Sequence, residues 1–163
     1  PDALLTTAPG TYALGLHLLS TTRGTIGALG EWTLPAGLYC YVGSAWGPGG
    51  LAARVRHHLC GGAVRRWHID YVRAWAAPVA VWLAPHARCE CAWATYLLKS
   101  QGARVIVPRC GASDCHCPAH LFYCGEQLPE SIVLPGVASR IGICYHESAR
   151  ITTNSVSYSR KFV

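Results

Sequence analysis

Two apolar segments that carry Tyr and Gly constrain the fold of this chain more than any other feature. The first segment is GTYALGLHLL (10–19), and the second is LYCYVGS (38–44). The first alternates as a strand does, and the second is rich in Tyr and Val, so both are predicted to be β-strands. The Gly- and Thr-rich stretch between them (21–37) predicts a hairpin turn, a short strand and a loop.

Helices and further strands are predicted after the second segment. The AWGPGG loop (45–50) has too much Gly and Pro for regular structure. Helices are predicted over residues 51–59, 67–77 and 88–102, and Gly102 suits the C-terminal cap of the third. Strands are predicted over 78–84 and 120–124, and a Cys-rich loop (103–119) precedes the last of them.

The composition predicts one folded domain followed by a tail. The chain has 163 residues, of which 51% are hydrophobic and 13% are charged, so a core can form and a largely disordered chain is excluded. After about residue 127 the composition shifts to Ser, Thr, Ile and Asn without a clear period. We therefore expect a main domain over residues 1–127 and a tail of uncertain order over 128–163. The chain contains no Met, so we expect that Pro1 is not the natural start.

Charge and cysteine content bound the partners and the compartment. No apolar run approaches the roughly 20 residues that span a membrane, and no signal peptide is visible. The net charge of +6 is a modest sign of nucleic-acid binding. The nine cysteines are odd in number and closely spaced at 89–91 and 115–117, which favours metal ligands or free thiols over disulfides. We expect a reduced, cytoplasmic protein.

An ordered set of short motifs runs through residues 9–124. It begins with Pro9-Gly10-Thr11-Tyr12 and Tyr41-Val42-Gly43. The motifs that follow are Gly49-Gly50-Leu51 with Arg54 and His58, Arg66-Trp67-His68-Ile69-Asp70-Tyr71, Glu90-Cys91, Ser113-Asp114-Cys115-His116-Cys117 and His120-Leu121-Phe122. The set resembles the Uri-type branch of the GIY-YIG endonuclease superfamily, whose two defining halves correspond to the first two motifs. The resemblance implies an α+β fold in which a small, mainly antiparallel sheet of three or more strands is flanked by helices. It also implies an active site on one sheet face.

The same resemblance implies a hydrolase that cuts a phosphodiester bond in DNA with one divalent metal, Mg²⁺ or Mn²⁺. Such hydrolysis needs an activated water, a clamp on the phosphate and help for the leaving oxygen. The family makes Tyr12 the general base, and the phenol of Tyr41 could converge on the same water. Because a free phenol has a pKa of about 10, a nearby cation must help. Two interfacial tyrosines on half-buried strands are the alternative.

Arg54 and His58 lie four residues apart, on one face of the first predicted helix. The planar fork of Arg54 matches the oxygens of a phosphate, and the free N–H groups at the start of this helix favour an anion. The alternative is a solvated basic helix face.

The hairpin between the tyrosines is longer than is usual in the superfamily, and Ser44 stands where some relatives carry Lys. If that Lys lowers the pKa of a phenol in the relatives, His58 or Arg54 is expected to do so in this chain.

Glu90 is the candidate ligand of the catalytic metal. It is one of two acidic residues between positions 32 and 113, and one carboxylate can suffice for Mg²⁺. The alternative is a favourable charge in a helix first turn. His68 is a candidate for binding or proton relay, and Asp70 could do the same or could cap or orient a neighbour. The candidate nucleic-acid-binding residues are Arg56, Arg65 and Arg66.

A second metal site is suggested by the cysteines. The candidate zinc ligands are Cys91, Cys115, Cys117 and His120, which make the tetrahedral Cys₃His set of a structural site. The site would staple the Cys-rich loop to the third predicted helix, beside Glu90. The alternative is a group of buried thiols. The cysteines without a partner pattern are Cys40, Cys60, Cys110, Cys124 and Cys144.

Three functions stay open on sequence grounds. The first is a divalent-metal-dependent DNA endonuclease, with a role in DNA repair implied by relatives that are fused to repair glycosylases. The second is a nucleic-acid-binding module without cleavage, in which some of the six Trp and eight Tyr stack on bases. The third is a zinc-stabilised interaction domain. The presence of both Tyr12 and Glu90 favours the first, and the sequence carries no sign of the oligomeric state.

Overall fold

The fold is an α+β sandwich of two helical layers around an antiparallel sheet. The structure, a computed structural model, describes residues 5–61, 64–99, 103–126 and 139–142. The strands are β1 (Gly10–Leu18), β2 (Thr22–Thr25), β3 (Glu31–Leu34), β4 (Gly37–Ala45), β5 (Ala77–Pro85), β6 (Leu121–Gly125) and β7 (Ser139–Gly142). The helices are α1 (Gly50–Cys60), α2 (His68–Arg73) and α3 (Glu90–Lys99).

The main sheet has five strands in the order β6-β4-β1-β5-β7. Every neighbouring pair is antiparallel. β2 and β3 pair with each other as a separate two-stranded sheet. The long insertion between β1 and β4 therefore folds on itself and leaves their pairing intact, from Gly10 opposite Ala45 to Leu18 opposite Gly37.

Alternate residues of the central strand β1 enter two separate cores, because successive side chains of a strand face opposite sides of the sheet. Tyr12 and Leu14 pack in a core with Leu51 and Val55 of α1 and with residues of α2. We call this side the tyrosine face. Ala13 packs in the other core, whose largest members are Trp82, Trp93 and Phe122, and which α3 covers. We call this side the α3 face.

The α+β class with an antiparallel sheet flanked by helices is confirmed, and the differences lie at element ends. The second predicted helix (67–77) stops at Arg73, and β5 already begins at Ala77. Ala77 precedes Pro78, and the residue before a proline is driven from helical to extended conformation. The stretch 21–37 holds two short strands and a 3₁₀ turn where one strand was predicted.

The boundary at residue 127 stays a prediction. Within the predicted tail, the described residues are Ser139–Gly142, whose backbone forms β7 at the edge of the main sheet beside β5. The predicted cap at Gly102 and the cysteine at 144 lie outside the described residues. No helix in the described part of the chain is long and apolar enough to cross a membrane.

Candidate active site and metal centre

Pairing of β1 with β4 brings Tyr12 and Tyr41 together on the tyrosine face. Tyr12 lies opposite Gly43, and Tyr41 is two residues away from Gly43 on the same face of β4. Both rings are buried, with their centroids 6.4 Å apart. A Cβ at Gly43 would lie 2.4 Å from the Tyr12 hydroxyl oxygen. The glycine therefore makes room for the phenol to lie over β4.

His58 meets the Tyr12 phenol from helix α1. Leu51, Val55 and His58 follow helical spacing, so the histidine continues the buried stripe of α1. Its Nε2 lies 2.8 Å from the Tyr12 hydroxyl. Its Nδ1 lies 3.3 Å from Oδ1 of Asp70, an electrostatic contact without full hydrogen-bond alignment. Phenol, imidazole and carboxylate thus form a connected row, which we call the Tyr12 row.

The electrostatics of the row keep its phenol protonated and its imidazole neutral. Burial raises the pKa of Tyr12 well above its usual 10, although the nearby guanidinium of Arg54 opposes the rise. Burial lowers the pKa of His58, and the carboxylate of Asp70 opposes that change only in part. A neutral imidazole nitrogen beside a phenol O–H is placed to accept its proton.

Asp70 does two jobs at the start of α2. Its Oδ2 accepts hydrogen bonds from the backbone N–H groups of Arg66 and Trp67, at 2.8 and 3.0 Å. Its Oδ1 also lies 3.1 Å from Nε2 of His57. Burial alone would raise the pKa of Asp70, but the imidazole of His58 and these N–H groups outweigh it and hold the pKa well below its usual value. Asp70, His57 and His58 bring three ligand atoms within 4.8 Å, so they could also hold a cation.

Arg54 lies beside the row and is held there by stacking. Its guanidinium lies 3.8 Å from the centre of the Trp67 ring. Its charge lowers the pKa of both Tyr12 and Tyr41, against the larger effect of burial. A planar cation that is already orientated loses little freedom when it binds a phosphate.

The prediction of an anion site at the start of α1 is wrong. The first N–H groups of this helix already have partners, since Leu51 donates to the carbonyl of Ala8 at 3.0 Å and Ala52 donates to that of Thr6 at 2.8 Å. Gly50 permits this approach, because a Cβ there would lie 2.1 Å from the Thr7 carbonyl oxygen. The segment before β1 therefore occupies the place expected for an anion.

Thr11 positions Glu90 from the opposite face of β1. The buried Thr11 hydroxyl donates to the carbonyl of Ala87 at 2.8 Å and accepts from the N–H of Cys89 at 3.1 Å. The Cys89 carbonyl accepts the N–H of Trp93 and so begins α3. Glu90 is the first residue of that helix, and its charge raises the pKa of Tyr12 and Tyr41. Burial is the larger cause of the raised pKa of both tyrosines, and the Glu90 carboxylate adds to it.

The predicted Cys₃His set is assembled at the start of α3. The ligand atoms of Cys91, Cys115, Cys117 and His120 all lie within 4.8 Å of one another. Tetrahedral zinc with Zn–S bonds of about 2.3 Å needs sulfur atoms about 3.8 Å apart, so small side-chain movements would close the set. The structure therefore contains a cluster that could hold a metal such as zinc, and it links the Cys-rich loop to α3.

His120 stands between this cluster and Glu90. The ring is 2% exposed, with Nε2 at 3.4 Å from Sγ of Cys115 and Nδ1 at 3.0 Å from Oε1 of Glu90. Burial lowers the pKa of His120, but Glu90 and Cys115 outweigh burial and leave that pKa above its usual value. Burial also raises the pKa of Cys115, but hydrogen bonds from Cys117 and the neighbouring His120 lower it overall.

A cleft of about 250 Å³ opens beside Tyr41. Its walls come from the turn before β3, from the start of α2 and from the Cys-rich loop. His68 lies in this cleft and not on the Tyr12 row, and its Nδ1 accepts the N–H of Gly111 at 3.1 Å. The lining includes the exposed side chains of Arg65 and Arg66, whereas Arg56 is exposed on α1. The expected basic residues are thus divided between the cleft and α1.

A family model described as a domain of unknown function, DUF123, matches residues 11–137. The chain belongs to this family. DUF123 is a GIY-YIG-like family, and the match includes β1 from its second residue, β2 to β6, both tyrosines and the four cluster ligands. Comparison with curated proteins and with solved structures gives no match.

Three contributors to this DUF123 site were missed from the sequence. Thr11 had no assigned role although it lies inside a motif. The sequence pattern around a strand hydroxyl does not predict a hydrogen-bond partner 76 residues away. Trp67 had no role either, and its stacking on Arg54 depends on how α1 meets α2. The place of His57 beside Asp70 was also missed. The burial of His58 had a readable signal in the apolar spacing of α1.

Proposed function

We propose that this domain is a divalent-metal-dependent endonuclease that hydrolyses phosphodiester bonds in DNA, with a role in DNA repair. The observation that carries the proposal is the Tyr12 row, in which the phenol oxygen lies 2.8 Å from a buried imidazole nitrogen. A cation and a carboxylate lie near the same phenol. The family match supports the same superfamily without assigning an activity. The role in repair rests on the resemblance alone.

The row solves the problem of using a high-pKa phenol as a base. Free Tyr12 phenolate is disfavoured, because burial raises its pKa. In the proposed step Tyr12 takes a proton from the attacking water while its own proton passes to Nε2 of His58. The imidazolium that forms is stabilised by the carboxylate of Asp70, 3.3 Å from Nδ1. The phenol therefore never carries a full charge.

Arg54 and Glu90 supply the remaining parts of the proposed chemistry. The guanidinium of Arg54, fixed on Trp67, would bind the non-bridging oxygens of the scissile phosphate. Glu90 offers a carboxylate whose side chain is 28% exposed, with Oε1 facing His120. One carboxylate fits Mg²⁺ or Mn²⁺, since Mg²⁺ keeps most of its water ligands. A cation held there would stabilise the charge on the leaving oxygen.

A cleavage assay tests the function. Purified protein is given Mg²⁺ or Mn²⁺ with single-stranded, duplex and damaged DNA. We expect cleavage that falls about 10²–10⁴-fold in Tyr12→Phe, the loss typical of a general base, and that is abolished in Glu90→Ala. Tyr123→Phe and Glu31→Ala are matched controls, because they make the same kinds of change outside the Tyr12 row and the Cys₃His cluster. Tyr123 donates to the carbonyl of Ala36, and Glu31 pairs with Arg23. Full activity in Glu90→Ala would overturn the metal assignment.

A nucleic-acid-binding module without cleavage is the second candidate. The cleft favours it, because Arg65, Arg66 and Tyr71 line a space that opens onto Tyr41. The guanidinium of Arg65 lies 5.0 Å from the centre of the Tyr71 ring, and such a pair can stack on a base. Salt-sensitive DNA binding that Arg65→Ala and Arg66→Ala weaken, with no cleavage of any substrate, would favour this candidate. No DNA binding at low salt would favour a zinc-stabilised interaction domain instead.

A further inference from the structure

His120 joins two groups that have so far been treated as separate sites. One ring nitrogen faces the thiols of the Cys₃His cluster, and the other faces the carboxylate of Glu90. A zinc-bound histidine commonly donates its second ring N–H to a carboxylate, which fixes the tautomer and strengthens the metal site. The arrangement around His120 has the donor, the acceptor and the spacing for this relation.

We propose that Glu90 is the outer carboxylate of a zinc site formed by Cys91, Cys115, Cys117 and His120, and that zinc in this site holds Glu90 in position for the catalytic cation. Zinc on Nε2 leaves the proton on Nδ1, from which it is donated to Oε1 of Glu90, 3.0 Å away. The carboxylate has a second oxygen and so can serve both partners. The part that concerns cleavage rests on the proposed function, whereas the zinc part does not.

The burial of His120 explains why zinc has this effect. The ring is 2% exposed, and its Nδ1 has no fully aligned hydrogen-bond partner in the described part of the chain. A neutral imidazole without a metal can carry its proton on either nitrogen. If the proton moves to Nε2, the lone pair of Nδ1 faces the carboxylate and repels it. Zinc bound to Nε2 excludes the tautomer that carries its proton there. The carboxylate of Glu90 is then held in one position by the N–H of Nδ1.

The chain connection strengthens the link. Glu90 and the zinc ligand Cys91 are adjacent at the start of α3, and the preceding Cys89 is tied to β1 by Thr11. The other ligands come from the Cys-rich loop and from the residue before β6. Backbone hydrogen bonds already join the two arms of this loop, such as that from the N–H of His120 to the carbonyl of Cys110 at 2.8 Å, but the Cys-rich loop and α3 meet at the cluster. Zinc would join the loop to the same helix start that carries Glu90.

The first test measures zinc affinity by chelator competition, and it does not require any cleavage. The wild type is expected to bind one zinc per chain, and Co²⁺ substituted for it is expected to give the visible absorption of a tetrahedral thiolate site. Loss of an outer carboxylate typically weakens metal binding about 10–100-fold. We expect that loss in Glu90→Ala and a smaller one in Glu90→Gln, with none in the control Glu31→Ala. Equal zinc affinity in the wild type and Glu90→Ala would overturn the proposal, as would a wild type that binds no zinc.

The second test compares the binding of Mn²⁺, followed by electron paramagnetic resonance, in zinc-loaded and zinc-free protein. Zinc is expected to tighten Mn²⁺ binding in the wild type and in Cys60→Ser, whose exposed thiol lies at the end of α1. It is expected to have no effect in Glu90→Ala. If zinc affinity depends on Glu90 but Mn²⁺ binding is independent of it, the outer-carboxylate assignment stands and the proposed catalytic ligand fails. If both depend on Glu90 and no DNA is cut, only the proposed function fails.

Discussion

The Tyr12 row and the Cys₃His cluster are built on the same pair of groups and differ in what faces the histidine. Both contain a buried histidine whose Nδ1 faces a carboxylate, Asp70 at 3.3 Å in the first and Glu90 at 3.0 Å in the second. Nε2 of His58 meets a phenol, whereas Nε2 of His120 meets a thiol. The shared carboxylate–imidazole unit is therefore suited to proton transfer in one place and to metal ligation in the other.

Charge separates the two units further. Burial dominates at His58 and lowers its pKa, whereas Glu90 and Cys115 outweigh burial at His120 and raise its pKa. Asp70 is also occupied by backbone N–H groups, which fix it in place. A saturated carboxylate suits a permanent orienting role. The partly exposed Glu90 keeps access to solvent, which suits a group that also meets a second cation.

Replacement of each histidine in turn is expected to have the largest effect and to separate the Tyr12 row from the Cys₃His cluster. His58→Gln is expected to lower the proposed cleavage about 10²–10⁴-fold, since it removes the group proposed to accept the proton of the general base, and to leave zinc affinity unchanged. His120→Gln is expected to lose zinc and thermal stability, with cleavage falling as a consequence. Cleavage rates, zinc content and unfolding curves of the two proteins give the answer. A His120→Gln protein with full zinc content would contradict the division.

Asp70→Asn should have the next largest effect. The equivalent change in a Ser-His-Asp triad costs about 10⁴-fold, and we expect about a hundredfold here because Arg54 still acts on Tyr12. Asp70 raises the pKa of His58, so its loss should move the acidic limb of the pH–rate profile to lower pH. Zinc affinity should not change, and Glu31→Gln is the control. An unmoved acidic limb would show that Asp70 acts only as a helix cap.

Gly43→Ala should disturb the Tyr12 row without touching the cluster. The added Cβ would lie 2.4 Å from the Tyr12 hydroxyl, and overpacking of this kind costs about 1–3 kcal/mol of unfolding free energy. We expect reduced cleavage, normal zinc binding and a lower midpoint in chemical denaturation. Gly47→Ala is the matched control, since a Cβ there meets nothing within 4 Å. Equal stability of the two variants would mean that the phenol can move aside freely.

The smallest expected effect is on the pH dependence of stability. The pKa of His58 is lowered in the folded state, so the unfolded chain binds this proton more readily. Its contribution to stability is therefore complete above a pH of about 6.5 and is lost as the pH falls towards the folded pKa, by at most about 1.4 kcal/mol per pH unit. His58→Gln should flatten this slope in denaturation at pH 5 to 7.5, and Gly47→Ala, which removes no titratable group, should not. An unchanged slope would place the loss elsewhere.

Local patterns in the sequence predicted most of the strands and the Cys₃His cluster, whereas the contacts between distant elements could not be predicted from them. Strand alternation placed Tyr12 and Tyr41 on strands, and the family resemblance suggested that their phenols converge, which the pairing of β1 with β4 allows. Close spacing and helix adjacency were sufficient for the four cluster ligands. The roles of Thr11 and Trp67 required the relative positions of helices on a sheet. The occupied start of α1 was missed because a terminal segment can fill a site that local pattern leaves open.

The two side chains Thr11 and Tyr12 have a consequence for how the molecule folds. They are adjacent on β1 and face opposite sides of the sheet. The hydrogen-bond partner of Thr11 is 76 residues away in the sequence, and that of Tyr12 is a histidine 46 residues away. Pairings between residues so distant in sequence close late and slowly. We therefore expect the proposed cleavage activity to return after most of the helical signal has recovered in a refolding experiment. A chain sampled early in refolding would have a folded circular dichroism spectrum and would still lack the proposed cleavage activity.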